Sequence, residues 1–203
     1  MNRAFEDLFG IAGAFDGIPM AGRTDQGILE EGALRAGLEL SDENRRQFRA
    51  RYFERLLEAL PEPGGRKEIL PGVLPILHAI TTRRDVFPAL LTGNCENGAR
   101  IKLEHFDLWK FFRCGAFGDD VVNRNELFAV AIERALGCGA PPVDPRDVLV
   151  VGDTVLDVAC AKAAGARSLA VATGPYDVHA LRAAGADEAV EDLSDMAAFL
   201  RLL

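Results

Sequence analysis

The sequence predicts an α/β protein in which a doubly wound parallel sheet follows a small helical region. Residues 1–66 carry apolar side chains at helical spacing and contain no convincing strand. Residues 67–203 instead alternate short apolar runs with helical segments, the pattern of a parallel sheet with helices on its faces. A Pro/Gly cluster at 61–65 separates the two patterns. We therefore expect a helical domain at 1–66 and an α/β core at 67–203.

Composition narrows the classes of protein and partner. The 203 residues are 49% hydrophobic, enough for one core and a small second domain. The net charge is −8 and the sequence contains no block of basic residues, which argues against nucleic-acid binding. No apolar run approaches the length of a membrane span and the first residues do not form a signal peptide, so we expect a cytoplasmic protein without membrane contact. The cysteines are widely separated in sequence and are expected to be reduced thiols: Cys95, Cys114, Cys138 and Cys160.

Helices are expected throughout the first region. Apolar spacing predicts one at residues 2–9, and a Gly/Pro-rich loop follows at 10–23. Thr24 and Ser41 have hydroxyl groups that accept hydrogen bonds from free backbone N–H groups, so we expect them to cap the next two helices. The helix after Ser41 is expected to bury Phe48, Tyr52, Phe53, Leu56 and Leu57.

The core is expected to alternate strands with helices. Gly165 and Gly185 each follow a helix and precede a strand, as glycines that end helices commonly do. The strands are expected at 86–91, within 111–117, and at 148–151, 168–172 and 189–190. The helices are expected from Pro71 through Ile80 and at 97–104, 125–136, 157–164, 177–184 and 192–202.

The stretch at 148–165 is the centre of the predicted site. Four apolar residues form a strand, Gly152 gives a turn, and Asp153 lies just past the strand's carboxyl end, where ligands bind in open α/β sheets. Asp157 follows at the start of a helix, so both carboxylates can face one point. Two carboxylates with Thr154 between them suit Mg²⁺, although such residues also serve simply to end a strand and cap a helix.

A second strand end has the same character. The strand ending at Leu91 is followed by Thr92, Gly93 and Asn94, and a helix begins shortly afterwards. The Thr92 hydroxyl and the backbone N–H groups near Gly93 and at a helix N-terminus can hold phosphate oxygens. Thr-Gly-Asn is also an ordinary turn sequence, so this stretch alone leaves both interpretations open.

Together, and in this order, the two stretches resemble the motifs of the haloacid dehalogenase-like (HAD) phosphohydrolases, especially phosphoglycolate phosphatase-type members with a small helical cap. The resemblance covers nearly the whole chain, with the cap at 1–66 and the core from residue 67 onward. It implies a Mg²⁺-dependent hydrolase of a small phosphorylated metabolite. It further implies that Thr92 binds phosphate and that Asp153 and Asp157 bind the catalytic metal.

The family's third motif is a lysine that neutralises the charge of the phosphate and the nucleophile. Lys102, one helix after Thr-Gly-Asn, is the expected catalytic and phosphate-binding lysine. Arg124 lies nearer the place where many relatives carry Lys-Pro, a dipeptide that is absent here. Either residue can alternatively be a surface cation on a helix.

The family's first motif, Asp-x-Asp-Gly-Thr at the end of the first core strand, has no counterpart in these residues. Its two aspartates would be the nucleophile and the general acid/base. The missing strand would lie between the strands that carry Thr92 and Asp153, and its absence would leave backbone groups on both unpaired. We therefore expect an N-terminally shortened, inactive form of a phosphatase. The alternative is a non-catalytic protein that binds phosphate or metal.

Residues 22–25 are the part of the cap most suggestive of substrate choice. Arg23 lies beside a helix N-terminus and could pair with a substrate carboxylate, such as that of 2-phosphoglycolate. The alternative is that Arg23 is a solvated loop residue and that Thr24 and Asp25 only cap the helix. The sequence leaves the oligomeric state open.

Overall fold

The computed structural model describes residues 1–62, 67–119, 121 and 123–203, and it confirms the predicted α/β class. The predicted domain boundary at 61–65 falls mostly outside these residues, so its position stays a prediction. The helices are α1 (Asn2–Phe9), α2 (Asp25–Arg35), α3 (Asp42–Ala59), α4 (Val73–Thr81), α5 (Glu96–His105), α6 (Leu127–Gly137), α7 (Val155–Ala164), α8 (Val178–Ala183) and α9 (Met196–Leu200). The strands are β1 (Leu90–Leu91), β2 (Gly115–Ala116), β3 (Leu149–Gly152), β4 (Arg167–Val171) and β5 (Glu188–Val190).

Helices α1 to α3 pack around an aromatic cluster. The ring of Phe15 lies 5.3 Å from that of Phe5 and 6.1 Å from that of Phe48, and all three side chains are almost completely buried. Both predicted caps are confirmed, because the Thr24 hydroxyl accepts from Gly27 N and the Ser41 hydroxyl accepts from the third residue of α3.

The predicted burial of Leu57 is wrong, since this side chain is 58% exposed. Phe48 and Tyr52 are four positions apart and share the buried face of α3. Leu57 follows Tyr52 by five positions, which at 3.6 residues per turn turns it about 140° away from that face.

Charged side chains cover the outer faces of these helices. Arg51 and Arg55 on α3 both donate to the carboxylate of Asp7 on α1, at 2.8 and 2.7 Å. These guanidinium groups, Arg55 foremost, lower the pKa of Asp7.

Within the described residues, no helix combines the length and the apolar composition needed to cross a bilayer.

The strands form two separate parallel sheets. One contains β1 and β2, and the other has the order β3-β4-β5. In the described part of the chain no backbone ladder joins β1 to β3, although Leu91 and Val150 pack against the same group of side chains on α6 and α7. Each sheet therefore ends in an edge strand that faces the region between Thr92 and Asp153.

Several core elements are shorter than predicted. The strand predicted at 86–91 is reduced to β1, because β2 offers it only two ladder partners. The helix predicted from Pro71 begins at Val73, since Gly72 has a φ of +80° and so lies outside helical geometry. The helix predicted at 125–136 begins with one 3₁₀ turn before α6.

Replacing Gly32 with Ala is expected to destabilise the protein by about 1 to 3 kcal/mol, because the added methyl group overlaps the Phe15 ring, which has no room to move. Gly137→Ala is the matched control. Gly137 is also helical, but nothing lies within 4 Å of its added methyl group. Urea unfolding followed by circular dichroism compares the two variants, and equal stability would contradict the packing described for α2.

Candidate active site

The polar residues singled out by the sequence lie at the carboxyl ends of β1 and β3. Thr92 directly follows β1, and its N–H donates to Ala116 O at 3.0 Å, which extends the pairing with β2. Asp153 directly follows β3 and is exposed to solvent. Both positions agree with the sequence prediction of a site at strand ends.

Asp157 is the most firmly held of these groups. It is 6% exposed, and its Oδ2 accepts from the Thr154 N–H at 3.0 Å and from the Thr154 hydroxyl at 2.7 Å. Its Oδ1 forms an ion pair with Arg124 Nη2. Gly152 permits this arrangement, because a Cβ at that position would overlap the Asp157 carboxylate. In this arrangement both oxygens of Asp157 have protein partners, and its role as a metal ligand stays a prediction.

Arg124 connects the two strand ends. Its side chain is only 12% exposed, and Nη1 approaches Gly93 so closely that a Cβ on Gly93 would lie 3.0 Å from it. Its Nε is buried and has no hydrogen-bond partner in the structure. A buried guanidinium that contacts both Asp157 and Gly93 supplies positive charge between the predicted metal and phosphate positions.

Lys102 belongs to the Thr92 side of the site. Its Nζ contacts Asn94 Oδ1, and Asn94 Nδ2 in turn donates to the Thr92 hydroxyl at 3.0 Å. The Asn94 N–H also donates to that hydroxyl, at 3.2 Å. Lys102 thus orients the predicted phosphate-binding residues, and whether it also contacts phosphate stays a prediction.

The N-terminus of α5 already holds two carboxylates that the sequence analysis did not assign to the site. Asp25 Oδ2 accepts from Cys95 N at 2.9 Å, and Asp119 Oδ2 accepts from Glu96 N at 2.7 Å. The sequence near residue 95 contains no capping signal that would have indicated these carboxylates. Both acids come from distant segments of the chain. These contacts occupy N–H groups that were candidates for binding phosphate.

The loop at 22–25 lies against both strand ends. Asp25 N donates to Gly93 O at 2.7 Å, and a Cβ on Gly22 would lie 2.5 Å from the Thr154 hydroxyl. The Arg23 side chain turns back into the helical domain, where Nη1 pairs with Glu31 at 2.6 Å, and Thr24 is buried. The predicted roles of Arg23 and Thr24 in substrate choice are therefore untested by this arrangement.

The chemistry around Asp153 fits a divalent cation. Loss of surrounding water, followed by the charge of Asp157, raises the pKa of Asp153, although part of the residue surface is open to solvent. A bound cation would offset both the lost hydration of the Asp153 carboxylate and its repulsion by Asp157. Carboxylate oxygens are the ligands that Mg²⁺ prefers. Among the described residues no group of three or more His, Cys, Asp or Glu side chains is arranged to hold a metal. Mg²⁺ commonly needs only one or two protein carboxylates, and a metal site at Asp153 stays a prediction.

Comparison with known proteins finds similarity to one family of hydrolases. Residues 124–196 match a family model described as HAD-hydrolase-like. Phosphoglycolate phosphatase 1 of Pseudomonas aeruginosa is 31% identical over 118 residues, which are 58% of this chain and 42% of that protein. In this segment the chain is therefore similar to HAD-hydrolase-like proteins. The aligned region thus spans less than half of this curated HAD relative.

Solved structures show the same HAD-like fold. A hydrolase from Pseudomonas syringae superposes with a TM-score of 0.66 at 23% identity. The alignment covers 98% of this chain and 88% of the hydrolase chain. A predicted phosphoglycolate phosphatase from Haemophilus somnus 129PT has a TM-score of 0.67 at 17% identity, with the same coverage. The fold predicted from the sequence is therefore confirmed over nearly the whole chain.

The matched range of the HAD family model begins at Arg124 and includes Asp153 and Asp157. Thr92 and Lys102 lie outside it. The segment that the model recognises is thus the one that contains the buried ion pair.

Asp157→Asn is expected to lower the free energy of unfolding by about 3 kcal/mol, because it leaves the buried Arg124 guanidinium without a counter-charge. Asp177→Asn is the matched control, since Asp177 only caps the short helix α8 and Asn caps helices equally well. Urea unfolding with a metal chelator present measures both. A difference below about 1 kcal/mol between the variants would place the pair among ordinary surface ion pairs.

Proposed function

We propose that this protein is a Mg²⁺-dependent phosphomonoesterase that acts on a small anionic metabolite in the cytoplasm. The observation that carries the proposal is the position of Arg124, which joins the carboxylate motif after β3 to the Thr92–Asn94 turn after β1. A phosphoryl group placed between these turns would meet hydrogen-bond donors, a cation and an exposed carboxylate at once.

Each residue has a distinct proposed role. Thr92, Gly93 and Asn94 bind phosphate oxygens through the hydroxyl, backbone N–H and amide groups. Asp153 and Asp157 would hold Mg²⁺, and Asp157 also positions Arg124. The metal, when bound, draws electron density from the phosphoryl oxygens and so makes phosphorus easier to attack.

Arg124 is proposed to neutralise the phosphate in place of the family's lysine. Its guanidinium carries a permanent charge and has donors left over after pairing with Asp157, including the unpartnered Nε. Lys102 remains the second candidate for this role, through its contact with Asn94. In either case the positive charge must be local, because the net charge of −8 does not attract an anionic substrate.

The nucleophile is proposed to be an Asp carboxylate delivered on a strand that fills the space between β1 and β3. The carboxylate oxygen would attack phosphorus while the bond from phosphorus to the substrate oxygen breaks, and the leaving oxygen would take a proton from an acid. Water would then hydrolyse the aspartyl phosphate and regenerate the carboxylate. Without such a strand, these residues bind phosphate and metal but do not turn substrate over.

The substrate is proposed to resemble 2-phosphoglycolate. The name of the Pseudomonas aeruginosa relative supports this choice, and so does Arg23, whose backbone lies beside Gly93. For Arg23 to bind a substrate carboxylate, its pair with Glu31 must open. Both groups are partly exposed, so opening this pair costs little.

The second candidate function is non-catalytic binding of phosphate and metal. The observation that favours it is the separation of the two sheets, since no carboxylate lies between β1 and β3 at the place of the nucleophile among the described strands. This reading predicts binding of Mg²⁺ and inorganic phosphate without turnover.

Asp153→Asn is expected to abolish Mg²⁺-dependent hydrolysis of 2-phosphoglycolate by the protein isolated from cells that express its own locus. The carboxamide cannot supply the negative charge that holds the cation. Asp144→Asn is the control, because Asp144 pairs only with Arg146 and its own turn at the surface. If the Asp153 variant keeps more than about a tenth of the rate, a barrier difference of less than about 1.4 kcal/mol, the proposed role is wrong.

The intact mass of that isolated protein separates the two functions. A mass above 21.9 kDa, together with turnover that Asp153→Asn removes, supports the phosphatase. A mass that matches 203 residues, with binding of Mg²⁺ and phosphate but no turnover, supports the binding protein and contradicts the enzyme.

Arg124→Gln is expected to weaken the Mg²⁺-dependent binding of inorganic phosphate about tenfold or more, equivalent to about 1.4 kcal/mol. Lys102→Met, which keeps the apolar stem, is expected to weaken it by less, because Lys102 acts on Asn94. Isothermal titration calorimetry measures both, after melting curves have shown that each variant is folded. A larger loss in Lys102→Met would assign the phosphate contact to Lys102 instead.

A further inference from the structure

Two cysteines that are far apart in sequence are neighbours in the fold. Cys114 directly precedes β2, and Cys138 directly follows α6. Helix α6 packs on β2, and Arg134 Nη1 donates to Gly115 O at 2.8 Å. The Cys138 thiol lies 3.9 Å from Arg113 O, the carbonyl oxygen of the peptide that leads into Cys114. The proximity of Cys138 also contributes to the raised pKa of the Cys114 thiol, after burial.

The two thiols differ in their access to solvent. Cys138 is exposed and lies between Gly137 and Gly139, where a Cβ would have no neighbour within 4 Å. Cys114 is half-buried. A reagent from solution therefore meets Cys138 more readily than Cys114.

The remaining cysteines are protected. Cys160, on the buried face of α7, is completely buried, and Cys95 is 3% exposed within the packing of the first three helices. Burial also raises the pKa of the Cys95 thiol to about 12, which keeps it protonated and unreactive. The fold thus distinguishes one reactive pair from two protected thiols.

We propose that Cys114 and Cys138 are a redox-modification site that forms a reversible disulfide when a hydroperoxide oxidises the protein. The Cys138 sulfur attacks one oxygen of hydrogen peroxide, the O–O bond breaks, and water and a Cys138 sulfenic acid result. The Cys114 sulfur then attacks the sulfenic sulfur, the S–O bond breaks, and a second water leaves with the thiol proton. Two thiols have lost two electrons and two protons, and the peroxide has become two water molecules.

The environment of Cys114 favours oxidation of Cys138 first. Burial and the neighbouring Cys138 raise the pKa of Cys114 to about 11, so it remains a thiol at neutral pH and does not compete for the oxidant. Its thiolate, the form that attacks the sulfenic sulfur, is scarce, so the second step is the slower one and depends on the position of Cys138 next to the peptide that leads into Cys114. Disulfides in reducing compartments are usually transient, and a pair of this kind is one that cellular thiols can reduce again.

The bridge would connect two elements that support the candidate site. Cys114 O accepts from Leu90 N at 3.0 Å, the first bond of the β1–β2 pairing that leads to Thr92. Helix α6 follows the turn that contains Arg124. A covalent link between β2 and the end of α6 removes freedom from the unfolded chain and raises the urea midpoint of unfolding. This inference does not depend on the proposed function.

Peptide mapping tests the proposal directly, because trypsin places the four cysteines in four peptides: 85–100, 114–124, 135–146 and 147–162. The reduced protein is treated with hydrogen peroxide, the remaining thiols are blocked, and the digest is analysed without reductant. We expect 114–124 linked to 135–146, with the loss of two hydrogens, about 2 Da, and full reversal by a thiol reductant. The peptides 85–100 and 147–162 are expected to carry only the blocking reagent.

Variants and a denatured sample supply the controls. After peroxide treatment, Cys114→Ser is expected to carry a Cys138 sulfenic acid that dimedone traps. Cys138→Ser is expected to react neither with hydrogen peroxide nor with dimedone at neutral pH. In urea the wild-type chain is expected to give mixed pairings, since four cysteines allow three connectivities. Sulfinic acid at Cys138 without any link to 114–124, or a link between two copies through Cys138, would overturn the proposal. The wild-type map decides the question even if a variant does not fold.

Discussion

The buried ion pair between Arg124 and Asp157 is the interaction on which the candidate site depends. An arginine that is 12% exposed and a carboxylate side chain that is 9% exposed are costly to remove from water, and only their mutual contact and further hydrogen bonds offset that cost. Asp157 receives those bonds from Thr154, which also caps α7. The pair thereby fixes the start of α6 relative to the start of α7.

Positive charge at the candidate site is limited to a few groups. The N-terminus of α5 would ordinarily attract an anion, but Asp25 and Asp119 already accept from its free N–H groups. Arg49 adds to this neutralisation through its 2.9 Å pair with Asp119. In the proposed function, phosphate would therefore rely on Arg124, on Lys102 and on a cation at Asp153. Asp25 of α2, and Asp119 through Arg49 of α3, also connect the first helices to α5, so contacts that stabilise the fold also limit the site.

The two strands nearest the site, β1 and β3, each pair on one side only among the described residues. β1 pairs only with β2, and β3 pairs only with β4, so each has one edge without a ladder among the described residues. Val151 in β3 is 42% exposed, which is unusual for the centre of a parallel sheet. A strand placed there would pair both edges and cover Val151, and it would bring its carboxyl end next to Thr92 and Asp153. The proposed position of the nucleophile thus lies between the unpaired edges of β1 and β3.

The sequence by itself determined the fold class, the helix caps at Thr24 and Ser41 and the strand-end positions of Thr92 and Asp153, because these follow from local periodicity and from hydrogen bonds within a few residues. It did not determine the lengths of β1 and α9, since ladders and packing partners come from distant segments. Only the tertiary structure joined Arg124 to Asp157, placed Asp25 and Asp119 on α5 and brought Cys138 against Cys114. Each of these contacts links residues more than twenty positions apart, and no local pattern encodes which distant side chain will fill a given position.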